Sequence, residues 1–146
     1  MTNTGPATDG NHSIFWDDLA EDLADPEFLR QYVVESVRIA TLDRIVNALD
    51  SARLAEGISK AEVARSINVE PAVVRRLLSG TRGNPTVGTV SEVAAALGFR
   101  LTIEPIPPAE KRVVTQPLRA GQPGNARKLA RELGELRSAG REAVPA

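Results

Sequence analysis

Two adjacent arginines on one face of a short predicted helix are the residues of this chain best suited to recognise another molecule. Apolar Val74, Leu77 and Leu78 recur at helical spacing, so one face of the stretch from 71 to 79 is predicted to be buried. The opposite, outward face carries Ala72, Arg75, Arg76 and Ser79. A guanidinium can donate two hydrogen bonds to O6 and N7 of guanine, so this face has the chemistry of a base-reading surface.

Two helices joined by a tight turn must position this face. Ser59 with Glu62 three residues later predicts a capped helix that begins at Lys60. Asn68 tolerates a positive φ, and Pro71 suits the first position of a second helix. This spacing over residues 59–80 is that of a helix-turn-helix, whose second helix enters the major groove of DNA.

The net charge of −1 argues against a nucleic-acid binder until its distribution is considered. Residues 1–29 carry seven acidic side chains and no Lys or Arg, whereas residues 105–146 carry eight basic and four acidic side chains. The sequence therefore predicts an acidic head of residues 1–24, largely disordered with a possible short helix. A helical domain of residues 25–104 and a Pro/Gly-rich basic tail of residues 105–146 follow.

Alternation of apolar and polar residues predicts one strand at the end of the central domain. Its apolar positions are Phe99, Leu101 and Ile103, and prolines from Pro105 prevent its continuation. Because an isolated strand leaves backbone groups unpaired, we expect it to pair with the same strand of a second copy in a homodimer. The alternative is a strand packed on its own domain or an extended tail.

The central domain resembles the Xre family of phage-repressor-like DNA-binding domains. The resemblance rests on residues 59–64, the turn at 67–69, Val74 and Leu77, and the closing residues 84–86 and 93–98. It implies an all-α, lambda-repressor-like helix-turn-helix domain, here with an N-terminal helical extension and a single C-terminal dimerisation strand. The helix from residue 25 and the strand also resemble HigA-type antitoxins, which implies autorepression and a toxin partner of RelE/HigB type.

The family resemblance assigns DNA contacts to individual positions. Base contacts are expected from Pro71, Ala72, Arg75 and Arg76, and phosphate contacts from Lys60, Ser79, Arg82 and Asn84. Pro71 and Ala72 lack side-chain donors, so direct readout should depend on Arg76. The alternatives are an Arg76 paired with an acid such as Glu70, and ordinary solvation of the phosphate-contact residues.

The acidic head can also present a surface to a basic partner protein. The candidate residues are Trp16, Asp17, Asp18, Glu21 and Asp22, with the tryptophan as an anchor. The alternatives are a solvated acidic helix and a tryptophan that packs on its own core.

In the tail, a thin leucine stripe from 125 to 137 indicates either a binding helix or a solvated, partly helical segment.

Catalysis, metals and cofactors have little support in the composition. The chain has no cysteine and one histidine, and it lacks a phosphate-binding glycine loop. We expect a cytoplasmic, non-enzymatic regulator that binds operator DNA without a metal or cofactor. The competing interpretation is a protein-interaction module that masks a basic partner and binds DNA weakly or not at all.

Overall fold

The computed structural model describes residues 8–80 and 83–142, with side chains from Ser13 to Arg141. The described residues contain eight α-helices and no strand. The helices are α1 Thr8–Asp22, α2 Pro26–Glu56, α3 Lys60–Ser66, α4 Pro71–Leu78, α5 Val87–Ala96, α6 Pro108–Val113, α7 Thr115–Ala120 and α8 Ala126–Glu142. The expectation of an all-α chain therefore agrees with the described part of the structure.

The chain divides into two compact units that are each discontinuous in sequence. Unit 1 combines the residues up to Arg38 with Ile106–Ser138, and unit 2 combines Ile39–Pro105 with the residues from Ala139 onward. This division differs from the expected head, domain and tail, because α2 and α8 each supply residues to both units.

Unit 1 is built around leucines and valines of α1, α2 and α8. The buried core residues are Leu19, Leu23, Leu29, Val33, Val114, Leu129, Ala130 and Leu133. The leucine stripe of the expected tail therefore packs against α1 and α2 and is not a solvated segment. From Thr8 the acidic head is helical, because Leu19 of α1 and Leu23 just after it are buried in this core.

Polar contacts also join α8 to α2 within unit 1. The hydroxyl of buried Ser36 donates to the Tyr32 carbonyl oxygen at 2.7 Å and accepts from Nε of Arg137 at 2.8 Å. The Arg137 guanidinium also lies 4.3 Å from the centroid of the Tyr32 ring. Because the buried hydroxyl has both a donor and an acceptor partner, its desolvation is compensated.

Unit 2 encloses a second core between the C-terminal half of α2 and helices α3 to α5. Its buried residues are Leu49, Val63, Ala64, Val74, Leu77, Leu78, Val90, Val93, Ala94 and Leu97. The helix α2 is one continuous helix of 31 residues. It contains neither proline nor glycine after Pro26, so no residue interrupts it before Gly57, whose φ of 69° ends it.

Within unit 2, the end of α8 packs against α2. Nδ2 of Asn47 donates to the carbonyl oxygens of Gly140 and Arg141 at 3.2 and 3.1 Å. Gly140 lies so close to Ala40 that an added Cβ would meet the Ala40 carbonyl oxygen at 2.6 Å. This helix end therefore receives hydrogen bonds from a side chain of α2 and needs glycine at the point of contact.

The dimerisation strand predicted at Phe99, Leu101 and Ile103 is not supported, since the segment has irregular backbone. After Phe99, whose amide bonds to the Ala94 carbonyl oxygen at 2.8 Å, the segment continues without a ladder. The described part of one chain offers no neighbouring strand, so the alternating pattern alone does not produce one.

Candidate nucleic-acid interface

The first helix of the motif begins as its cap residues predict. Ser59 has an extended backbone, and its hydroxyl accepts a hydrogen bond from the Glu62 amide at 3.1 Å. Val63 and Ala64 of α3 are fully buried, so this helix is fixed to the core by its inner face. Lys60 is half-buried at the first position of α3, next to the cap.

The turn between α3 and α4 depends on a residue in the left-handed region. Asn68 has a φ of 57°, the one positive φ among the described non-glycine residues. The Val69 amide then donates to the Ala64 carbonyl oxygen at 3.0 Å, which closes the turn. Asparagine is one of the few residues that adopt this backbone at low cost, so its type explains the abrupt change of direction.

The helix α4 begins at Pro71, and Glu70 at its N-cap makes no side-chain capping bond. Its inner face, made of Val74, Leu77 and Leu78, is buried as predicted from the spacing. Two arginines and a serine of its outer face are exposed, whereas Pro71 and Ala72 are half-buried. The exposed residues are Arg75, Arg76 and Ser79.

Two hydrogen bonds join side chains of the outer face to carbonyl oxygens of their own helix. Nε of Arg76 approaches the Ala72 carbonyl oxygen at 3.4 Å, and the Ser79 hydroxyl donates to the Arg76 carbonyl oxygen at 3.2 Å. A bond of 3.4 Å is weak and easily exchanged. The Arg76 side chain is exposed on this face.

The loop after α4 leads to a second capped helix. Thr86 accepts a hydrogen bond from the Thr89 amide at 3.1 Å and so caps α5. Asn84 is exposed just before this cap. Arg82, which is also among the predicted phosphate contacts, lies outside the described residues.

The predicted partner surface on α1 is divided between two environments. Trp16 is half-buried and packs against the unit 1 core, and Asp17 forms an ion pair with Arg127 at 2.7 Å. Asp18, Glu21 and Asp22 are exposed. The neighbouring Ile14 and Phe15, which sequence reasoning did not single out, are also exposed.

Sequence reasoning also did not anticipate a concave surface beside the end of α4. A cavity of about 520 Å³ within unit 2 is lined by residues of α2, α4 and α5, of the loop before α5, and of the end of α8. These segments lie far apart in the sequence, so no local pattern could have indicated the cavity. Arg76 and Asn84 both line it.

Two further features are absent from the residues that the structure describes. No group of three or more His, Cys, Asp or Glu side chains in this part of the chain is arranged to hold a metal ion. Within the same residues, no helix is long and apolar enough to cross a membrane.

Comparison with known proteins agrees with the geometry of the motif. A family model described as helix-turn-helix matches residues 49–103, which cover the end of α2, helices α3 to α5 and the segment that follows. Residues 49–103 therefore form a helix-turn-helix domain of the Xre-like type. No curated protein and no solved structure matches the chain.

Proposed function

We propose that this protein is a sequence-specific transcriptional regulator that represses its own operon as a homodimer. The observation that carries the proposal is the exposed arginine pair of α4, Arg75 and Arg76, on the outer face of the second helix of a helix-turn-helix domain. In this motif the second helix places its outer side chains against base edges, and the first helix lies across the backbone. Lys60, Ser79 and Asn84 then serve as phosphate contacts at the edges of this surface.

Base recognition depends on few side chains. Pro71 and Ala72 are half-buried and carry no side-chain donor, so they contribute apolar contact, such as that between Ala72 and a thymine methyl group. Arg76 provides the bidentate contact to guanine, with Arg75 beside it. Specificity in this protein therefore depends on one or two arginines and on the shape of the DNA.

Replacing Arg76 by alanine is expected to cost about 1–3 kcal/mol of specific binding, because a bidentate contact to guanine is lost. Fluorescence anisotropy on the upstream DNA and on an unrelated duplex, across a salt series, measures both specific and non-specific affinity. Arg44→Ala, an exposed arginine of α2 away from the motif, is the matched control. Unchanged discrimination between the two duplexes in Arg76→Ala would sink the base-contact assignment.

The homodimer is proposed to form through the segment after α5. Phe99 and Leu101 are partly exposed and Ile103 is 98% exposed, so the described chain leaves these apolar residues without a cover. Contact between this segment and that of a second copy would cover these apolar side chains and space two recognition helices for two half-sites.

Ile103→Asp is expected to shift the protein from dimer to monomer at micromolar concentration, because a charge would enter the apolar contact between the two copies. Sedimentation equilibrium measures the shift. Val87→Asp, which adds a charge at another exposed apolar position, is the control and should leave the mass unchanged. A wild-type protein that is already monomeric under these conditions would refute the dimer.

An antitoxin role is the biological context that we propose for this regulator. Ile14 and Phe15 are more than half exposed, and exposed acids at Asp18 and Asp22 follow them on α1. Such a surface suits a basic partner such as a toxin of RelE/HigB type, with the apolar side chains as anchors. Equal, weak binding to both duplexes in the anisotropy experiment would favour the alternative, a module whose main role is to mask this partner.

A further inference from the structure

The cavity beside α4 has the size and the apolar lining of a small-molecule site. Its volume of about 520 Å³ lies in the range of cavities that enclose small organic ligands. Leu42 and Val46 of α2 and Val73 and Leu77 of α4 supply apolar side chains to its walls. Burial of an apolar body against such walls supplies binding free energy in proportion to the area removed from water.

The charged residues of the lining determine which charge the bound molecule should carry. They are Arg76, Arg141 and Asp43, so the lining carries one net positive charge. Arg141 and Asp43 approach at 3.8 Å, with side chains 74% and 35% exposed. Such a long, solvent-accessible pair is worth little, and an anion can replace Asp43 as the partner of Arg141. Hydroxyl groups of Thr86 and Thr89 add neutral hydrogen-bonding groups to the same lining.

We propose that this cavity binds a small amphiphilic anion, with its apolar body against the α2 and α4 side chains and its charged group at Arg76 and Arg141. The occupant competes with DNA, because Arg76 is also the proposed base contact and Asn84 the proposed phosphate contact. Binding of the anion therefore lowers the affinity for DNA, and DNA lowers the affinity for the anion by the same factor. This coupling rests on the proposed function, whereas binding of the anion does not.

Titration with 8-anilino-1-naphthalenesulfonate, an aromatic anion that fluoresces in apolar surroundings, tests the site without DNA. One molecule per chain is expected to bind to the folded protein. Decanoate should displace it, and decylammonium, which has the same apolar chain and the opposite charge, should not. Displacement by both compounds alike would overturn the assignment of an anion site.

Variants locate the bound probe. Val46→Phe, which extends a side chain into the cavity, is expected to weaken binding by about tenfold or more, whereas Leu54→Phe, at an exposed position of α2, should change it by less than about twofold. Arg141→Ala should weaken binding by about threefold to tenfold, with Arg44→Ala as its control. The second pair keeps the test valid if Val46→Phe fails to fold. Binding that is unaffected in Arg141→Ala and in a folded Val46→Phe would refute the site.

The regulatory part of the proposal is tested by anisotropy with DNA at increasing decanoate. The apparent DNA affinity of the wild-type protein should fall, and that of Val46→Phe should not. If decanoate binds and the wild-type affinity for DNA stays constant, the coupling is refuted while the site stands. If the wild-type protein binds no DNA at all, the proposed function fails, and the fluorescence titration still decides whether the site exists.

Discussion

Replacing Leu133 by alanine is expected to lower the free energy of unfolding of unit 1 by about 2–5 kcal/mol. Leu133 lies in α8 and is completely buried among core residues that include Leu19, Leu29 and Val33. The smaller side chain removes apolar contact area and leaves a cavity that the surrounding helices fill only in part. A residue of a solvated tail would show almost no effect, so this variant tests whether the C-terminal third of the chain is folded.

The change can be followed by the fluorescence of Trp16, the one tryptophan of the chain, because it packs against the same core. Denaturant unfolding of wild type and Leu133→Ala gives the difference in free energy. Val34→Ala is the control, since Val34 is 55% exposed in the same unit and should lose less than about 0.5 kcal/mol. Equal stability of Leu133→Ala and Val34→Ala would mean that α8 does not pack as described.

Leu97→Ala is expected to destabilise unit 2 by a similar amount, about 2–5 kcal/mol, and to weaken DNA binding through loss of the folded state. Leu97 is 2% exposed at the end of α5, and its amide donates to the carbonyl oxygens of Val93 and Ala94. It packs in the core that supports α3 and α4. The recognition face itself is untouched, so the affinity of the molecules that remain folded should equal that of wild type.

Amide hydrogen exchange measures this effect, since the amides of α4 and α5 report the opening of unit 2 directly. The control is Leu54→Ala, an exposed leucine of α2 in the same unit, whose exchange rates should match wild type. Protection of α4 and α5 that is undiminished in Leu97→Ala would contradict the described core. If Leu97→Ala is destabilised as expected, its DNA affinity should recover on mild cooling, because the variant refolds.

The helix-turn-helix could be predicted from the sequence because its signals are local. Three residues each fix a backbone feature within four residues of themselves. They are the capping residues Ser59 and Thr86 and the turn residue Asn68. The inner face of α4 follows from the period of an α-helix. These features need no knowledge of the rest of the chain, and the structure shows them where they were expected.

Unit 1 could not be predicted because its contacts join distant parts of the chain. The leucine stripe of α8 is thin and surrounded by charge, and its partner surface on α1 and α2 lies about a hundred residues earlier. Arg137 reaches Ser36 across this separation, and Gly134 leaves room for the Trp16 ring. A single sequence holds no signal that links such pairs, so the leucine stripe of α8 is compatible with both a binding helix and a solvated segment. For the alternating stretch from Phe99 to Ile103 the local pattern was the source of the error. It indicated a strand, but the described part of one chain offers no strand with which it could pair.

The bond from Asn47 to the end of α8 determines which fragments of this protein can be studied alone. A fragment cut to the residues that match the helix-turn-helix model would lose Asn47, Ala40 and the segment around Gly140, although all of them belong to the same compact unit. The boundaries of the recognisable motif are therefore not the boundaries of the folding unit. Transplanting the motif into another protein would require a substitute for both α2 and the last turn of α8.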